Sequence, residues 1–502
     1  MTIYIIIALV VAVGAFFFFS WLLTENTLQT RQRKMVYAVT ILGLLVPIIY
    51  LGAPTSEDVI PGTTSSVSGG VLAQMRVEHD LGESKLGQID PSSAAMSLVL
   101  LGLRGPAASV LHLKALEYQK RKDWSKLKTT VDSIIKLQPH YIEIWKFQGW
   151  NLAFNVSREW DQVKDRFFWV KEGIKFLQLG TTRNETSTAL FHNVGDFTGR
   201  KFGNSDEKKF FRKYFTSDPD TDAFENGTAD PEINPENKDN YLVAYDWFVR
   251  TNEKDLLYRI KKMTHVIARQ GPSRALYDYA TAKQKEGAFG SENRDAWENA
   301  YKEWTDNYGS DIFLGLNDVQ YRLNSSQEEL ENDAKLNGVD ISVQRKVWEQ
   351  NVKMVNYRFW QNLANCERDQ TTVDAHKAIY DGKIAFSKAQ TYDEEDTASE
   401  AEQRFMEGIK LINEVMTVKH PEVADHDDYI EEALLAVLYI QKIHQINNKP
   451  QLTDHPLAWL VAKESGRIPD IQHQYLLEQQ IGFDEIIEES STDSDSSPSD
   501  SE

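Results

Sequence analysis

The chain has 502 residues, 41% hydrophobic and 11% aromatic, with 23 Phe, 20 Tyr and 12 Trp, enough for more than one packed core. Its formal net charge is −20; the first 52 residues carry +2, so the remainder carries −22. So acidic a surface argues against nucleic acid, whose binding is driven by neutralising phosphates, and against docking on anionic lipid outside any spanning segment. The single cysteine, Cys366, excludes an intrachain disulfide.

Residues 3–23 form an uncharged apolar run, and about 20 such residues cross a bilayer as a helix. Residues 35–52 form a second, slightly shorter run interrupted by Pro47. Arg31, Arg33 and Lys34 lie between them, and the positive-inside bias makes that loop cytoplasmic and both termini exoplasmic. The expectation is a transmembrane hairpin anchor over 1–52, multi-pass in a bacterial inner (cytoplasmic) membrane. It meets the lipid bilayer through 3–23 and 35–52, with the large domain periplasmic; a cytoplasmic domain is the alternative. Residues 53–70, rich in Ser, Thr, Gly and Pro, read as a flexible linker.

A helical domain with tetratricopeptide-like units is expected over 71–215, with a short amphipathic helix over 71–88 and a buried helix over 94–103. Within it, residues 106–178 read as two helix–turn–helix units. Leu111, Ala115 and Tyr118 share one face of the first helix, and Leu127, Val131 and Ile134 line the second, which Pro139 stops. Trp145, Gly149 and Leu152 repeat the large–small–large order, with Gly149 as the point of close helix approach. Val163, Phe167, Val170, Ile174 and Leu177 form the answering stripe, after a turn placed at Asn155–Asp161. Asn151 and Asn155 could line a groove or brace that turn. One such hairpin cannot bury its own apolar face, so stacking is expected.

Residues 180–203 read as irregular and glycine-punctuated. The helix over 206–215 begins with acids and continues with bases, in keeping with the helix dipole. Arg200, Lys201, Lys208, Lys209, Arg212 and Lys213 form the dense basic cluster of the chain outside the anchor. They are candidates for binding an anion or an acidic partner segment, against the plainer reading of a solvated face paired with nearby acids. Residues 216–240 are an acidic loop. Asp218, Asp220 and Asp222 imitate the start of a calcium loop, but Ala223 and Ala229 stand where the turn glycine and the bidentate glutamate belong.

A second helical-repeat domain is expected over 241–483. Trp297, Tyr301, Trp304 and Tyr308 make an aromatic stripe, read as core. Trp348, Val352, Val355, Phe359 and Leu363 repeat that spacing, and Cys366 continues the face as a buried, inert thiol. Residues 373–390 and 397–418 make a hairpin closed by Pro421, and Ile430, Leu434, Val437 and Ile440 line a last long helix. Residues 484–502 form an acidic tail without a base, unable to bury enough surface to fold. No phosphate loop, dinucleotide fingerprint, zinc-protease or nucleophile-elbow motif occurs, so no catalytic or cofactor-binding residue is assigned. His420, His426 and Asp425–Asp428 match no closed metal-site spacing.

The segments Leu86–Pro91, Leu101–Pro106, Gly149–Ser157 and Trp169–Ile174 also form a recognisable set, with Arg200–Glu207 and Gly287–Trp304 in looser form. Together they resemble a family of membrane-anchored proteins of planctomycete bacteria, which often carry the label "iron-responsive element". That phrase denotes an RNA hairpin, and nothing in these residues supports iron binding. The resemblance implies a bacterial envelope setting and brings no activity or site residues.

The fold expected is all-α: a transmembrane hairpin, then an α-solenoid of tetratricopeptide-like hairpins stacked right-handedly. The function expected is a membrane-anchored, non-enzymatic scaffold for protein partners. The alternatives are an envelope enzyme or ligand-binding protein with a pocket near His192, Arg200, Lys201 and Asp206, and a structural envelope component.

Overall fold

A computed structural model describes residues 104–224, 227–258, 265–392 and 395–479. These are mostly helical, with one two-stranded sheet among them, so the all-α expectation holds. The chain divides into two compact units, the boundary falling after Val194.

In the first unit α1 (Arg104–Lys120) and α2 (Trp124–Leu137) form a hairpin. Asp123 caps α2 by accepting from the Lys126 backbone N–H at 3.2 Å, and Leu127, Val131, Ile134 and Leu137 are buried along its inner face. α2 ends one residue before Gln138, as Pro139 requires. The Pro139 carbonyl then accepts from Trp145 Nε1 at 2.8 Å and from Asn184 Nδ2 at 3.2 Å, pinning both ends of the next hairpin. That hairpin is α3 (Ile142–Trp150) against α4 (Val163–Arg183). A Cβ on Gly149 would stand 2.6 Å from Leu177 Cγ, and one on Gly173 would stand 2.8 Å from the Gly149 carbonyl oxygen. The two glycines let the helices touch almost backbone to backbone.

The turn expected at Asn155–Asp161 begins later. α3 runs on through a π turn (Asn151–Val156) and a 3₁₀ turn (Ser157–Glu159). Asn151 explains the persistence: its Oδ1 accepts from Asn155 Nδ2 at 2.9 Å and from Gln119 Nε2 at 3.3 Å, bracing the widened turn against α1.

The glycines of 180–203 are not punctuation either. α4 reaches Arg183, α5 (Thr188–Asp196) follows, and a π turn covers Phe197–Lys201. In the second unit a Cβ on Gly195 would press on Phe248, one on Gly199 on Ala244 and one on Gly203 on Tyr241. These are packing glycines on a helical path.

α6 (Lys208–Thr216) buries Phe211 and Phe215. The loop that follows is anchored by buried Asp218, Asp230 and Asn234. Asp218 accepts from the Asp220 N–H at 3.0 Å, and Asn234 donates to the Phe215 and Lys238 carbonyls at 3.0 and 2.8 Å. α7 (Asn240–Tyr258), α8 (His265–Ala268), α9 (Gly271–Lys285) and α10 (Ser291–Lys302) come next. Their core holds Trp297, Trp304 and Tyr308 of the aromatic stripe together with Tyr277, while Tyr301 of that stripe is only partly buried. Trp304 Nε1 donates to the Tyr357 carbonyl at 3.0 Å and Tyr277 Oη to the Trp360 carbonyl at 2.6 Å.

The sheet is a short antiparallel hairpin that the sequence did not announce: Phe313 faces Tyr321 and Leu314 faces Gln320. Two residues per strand are too few for an alternating pattern to register. α11 (Gln327–Asn337) is closed by a capping box between Ser326 and Glu329. The face expected to run unbroken from Trp348 to Cys366 is split into α12 (Ile341–Met354) and α13 (Tyr357–Glu367). Asn356, at φ +51°, makes the break, and it leaves Phe359 exposed while Tyr357 takes the buried place.

α14 (Gln370–Tyr392) and α15 (Glu395–Glu414) form the expected hairpin, α15 continuing through a π turn to Lys419. α16 (Asp427–Ile446) runs through the largest core, buried on nearly every side, and α17 (Ala458–Lys463) and a helix over 468–479 complete it.

The multi-pass inner-membrane placement is corrected: among the described residues no helix is long and apolar enough to cross a membrane. Each apolar stripe is answered by charge on the same helix; even α16 carries Asp427, Asp428, Glu431, Glu432 and Lys442. The runs 3–23 and 35–52, the linker 53–70, the helices placed at 71–88 and 94–103, and the tail 484–502 lie outside the described residues.

Candidate functional site

The first unit shows aromatic side chains on its α3–α4 hairpin. Trp150, Trp160 and Phe168 are 46%, 43% and 44% exposed. Trp150 stacks on Phe154 with centroids 5.7 Å apart, and Trp160 stacks on Trp169 at 6.3 Å, with Phe168 edge-on to Trp169 at 5.4 Å. Local folding forces the display. α4 turns Phe167, Val170, Ile174 and Leu177 inward, so Lys164, Phe168 and Leu179 point out along the opposite side. Exposed aromatics of this density mark contact surfaces more than single exposed leucines do. The surrounding charge is basic. Residues 104–194 hold 15 Lys and Arg against 9 Asp and Glu, a net of +6, whereas residues 195–479 hold 35 against 51, a net of −16. Averaging the charge over everything beyond residue 52 hides this; counting by unit would have exposed it.

The basic candidates separate in the structure. Arg200 is 75% exposed and pairs with Asp196 one turn earlier at 3.2 Å. Arg212 is turned inward: it pairs with Asp239 at 2.7 Å and Glu286 at 2.6 Å, donates to Asn240 Oδ1 at 2.6 Å and lies over the Tyr241 ring. Burial works against its charge, but the Glu286 and Asp239 carboxylates raise its pKa above the ordinary value. Arg212 is therefore a clamp between α6, α7 and the end of α9. Lys208, Lys209 and Lys213 are exposed and Lys201 is half-buried. His192 belongs to the first unit, Arg200 and Lys201 to the second, and Asp206 is exposed.

One constellation carries residue types used in catalysis, and it is largely buried. His376 on α14 lies 2.6 Å from Glu432 on α16 and 3.3 Å from Glu367 on α13. The second approach is out of line for a hydrogen bond. Tyr429 donates to Glu367 Oε1 at 2.8 Å and sits 3.2 Å from Cys366 Sγ. Burial opposes the His376 charge, yet the two carboxylates hold its pKa well above the usual range; burial likewise opposes Glu432, which His376 keeps ionised below its ordinary value. Burial pushes the Cys366 thiol up to about 12, so it is not a thiolate at neutral pH. Cys366, Glu367, His376 and Tyr429 are buried and Glu432 is partly exposed, so the group ties three helices together and meets water only at the Glu432 carboxylate. The sequence left His376, Glu367 and Glu432 unremarked because they come from three helices and share no spacing.

His420 pairs with Glu422 at 3.2 Å, and His426 stacks on Phe359 at 3.9 Å. Asp425 and Asp427 pair with Lys463 and Arg467, both at 2.6 Å, so two acids of that run serve as helix-to-helix ties. A cleft between the sheet and α11, lined by Tyr321, Arg322, Asp333 and Asn337 among others, holds about 30 Å³, room for a water or two.

Set against known proteins, the chain matches no family model, no curated protein and no solved structure.

Proposed function

We propose that this chain is a helical scaffold for protein partners and that the α3–α4 hairpin is its contact face. The observation that carries the reading is the display of Trp150, Trp160 and Phe168 on a basic unit in which Trp145 and Phe167 are fully buried and Phe147, Phe154, Trp169 and Phe176 half-buried. Aromatic anchors in a basic surround suit a partner with apolar side chains flanked by acids. The finer reading keeps the hairpins as tetratricopeptide-like units of a solenoid. It is supported by the large–small–large order of Trp145, Gly149 and Leu152 and by the close approach at Gly149 and Gly173. Membership of the planctomycete family belongs to the same proposal and rests on the motifs quoted for it.

The test is crosslinking with mass spectrometry in cells, comparing the natural chain with Trp150→Ala/Trp160→Ala/Phe168→Ala. The expected result is loss of specific partners with an unchanged circular-dichroism spectrum and unfolding midpoint. An unaltered partner list from a folded triple variant would sink the proposal.

A further inference from the structure

α6 is two-faced in an unusual way. Its inner face packs Phe211 and Phe215 on Phe202, at centroid distances of 6.0 and 5.1 Å, and commits Arg212 to Asp239 and Glu286. Its outer face presents Lys213 and Phe210, with Tyr214 6.1 Å from the Phe210 ring, and Lys208 is exposed in its first turn. Among the described residues neither Lys208 nor Lys213 has an ion pair, although acids outnumber bases 51 to 35 between residues 195 and 479.

The same chain ends in a segment of complementary make-up. Residues 484–502 hold eight Asp and Glu and no base, and Ile486 and Ile487 sit between Asp484–Glu485 and Glu488–Glu489. We propose that this C-terminal segment docks in cis on the outer face of α6, its acids on Lys208 and Lys213 and its isoleucines on Phe210 and Tyr214. Three arguments support it. A segment of this charge is repelled by most of a unit carrying −16, and the exposed lysines of α6 are a basic patch within that same unit. The 23 residues after Gln479 reach roughly 75 Å when extended, so chain length does not forbid the contact. Tethering supplies an effective concentration on the order of millimolar, which lets individually weak lysine–carboxylate pairs hold together. The docked tail would cover the α6 face against other acidic segments.

Carbodiimide coupling of the full-length chain, which joins lysine amines to carboxylates as amides with loss of water, reads the contact by mass spectrometry. Expected are links from Lys208 or Lys213 to Asp484–Glu489, falling about fivefold or more in 0.5 M salt. Lys208→Glu/Lys213→Glu, which removes the coupling amines, is the chemical control for the position of the links. A second full-length variant, Asp484→Asn/Glu485→Gln/Glu488→Gln/Glu489→Gln, neutralises the segment and should raise the acetylation reactivity of Lys208 and Lys213. An equal mixture of isotopically heavy and light protein separates the routes. Links within one copy support docking in cis. Heavy-to-light links, tail links that avoid α6, or lysine reactivity indifferent to tail charge would overturn it.

Discussion

The two units spend their aromatic residues in different proportion: the second also leaves Phe210, Phe359 and Trp459 exposed, but over a much longer stretch of chain. Beyond Gly195, Tyr277, Trp297, Trp304, Tyr308 and Tyr357 are all within 3% of full burial, and Trp304 and Tyr277 hand their polar atoms to main-chain carbonyls. Before Val194, Trp145 and Phe167 fill the core while Trp150, Trp160 and Phe168 stay in water. The charge differs in the same sense: +6 over residues 104–194 and −16 over 195–479. An aromatic residue at a helical spacing is therefore not informative by itself. What matters is whether a second layer exists to cover it, and in the second unit α12 and α13 provide that layer.

The comparison breaks first at His376. If the second unit is held by its buried charges as well as its core, His376→Ala leaves Glu367 and Glu432 facing each other without a cation. It should cost about 3–5 kcal/mol in urea unfolding. A loss below about 1 kcal/mol would mean the group is incidental. Next comes packing in the first unit. Gly173→Ala puts a methyl 2.8 Å from the Gly149 carbonyl oxygen and should cost about 1–3 kcal/mol, whereas Gly338→Ala in the second unit meets no neighbour and suffers only from its φ of +63°.

The pH dependence sharpens the contrast. His376 is held charged well above its ordinary 6.5 and Glu432 below its ordinary 4.5. The imidazolium's contribution is complete below about pH 6.5 and fades as pH rises through the raised folded value. The carboxylate's is complete above about pH 4.5 and fades as pH falls through the lowered one. Stability of the second unit should therefore decline on the alkaline side, and His376→Gln should flatten that decline. The smallest effect is expected at the display face: Trp150→Ala and Phe168→Ala should each shift stability by about 0.5 kcal/mol or less. A larger shift would place those rings in a core.

Much of the helical framework was legible because it depends on spacing along one strand of sequence. Leu127, Val131 and Ile134, or Ile430, Leu434, Val437 and Ile440, recur once per turn whatever surrounds them, and all are buried. Pro139 and the Trp145–Gly149 pairing were legible for the same local reason. Legibility failed where a residue's role is set by a distant partner. Gly195, Gly199 and Gly203 look like loop breakers until Phe248, Ala244 and Tyr241 arrive beside them. Arg212 looks like one of six equivalent cations until Asp239 and Glu286 close on it.

The sequence by itself determined that the described chain is helical, where some of its turns fall, and which face of several helices is greasy, because those properties follow from local hydrogen bonding and the 3.6-residue period. Only the tertiary structure decided which aromatics are covered, which arginine is a clamp, and that His376 stands between two glutamates. Those outcomes depend on side chains far apart in the chain meeting in space, and no spacing rule encodes such a meeting.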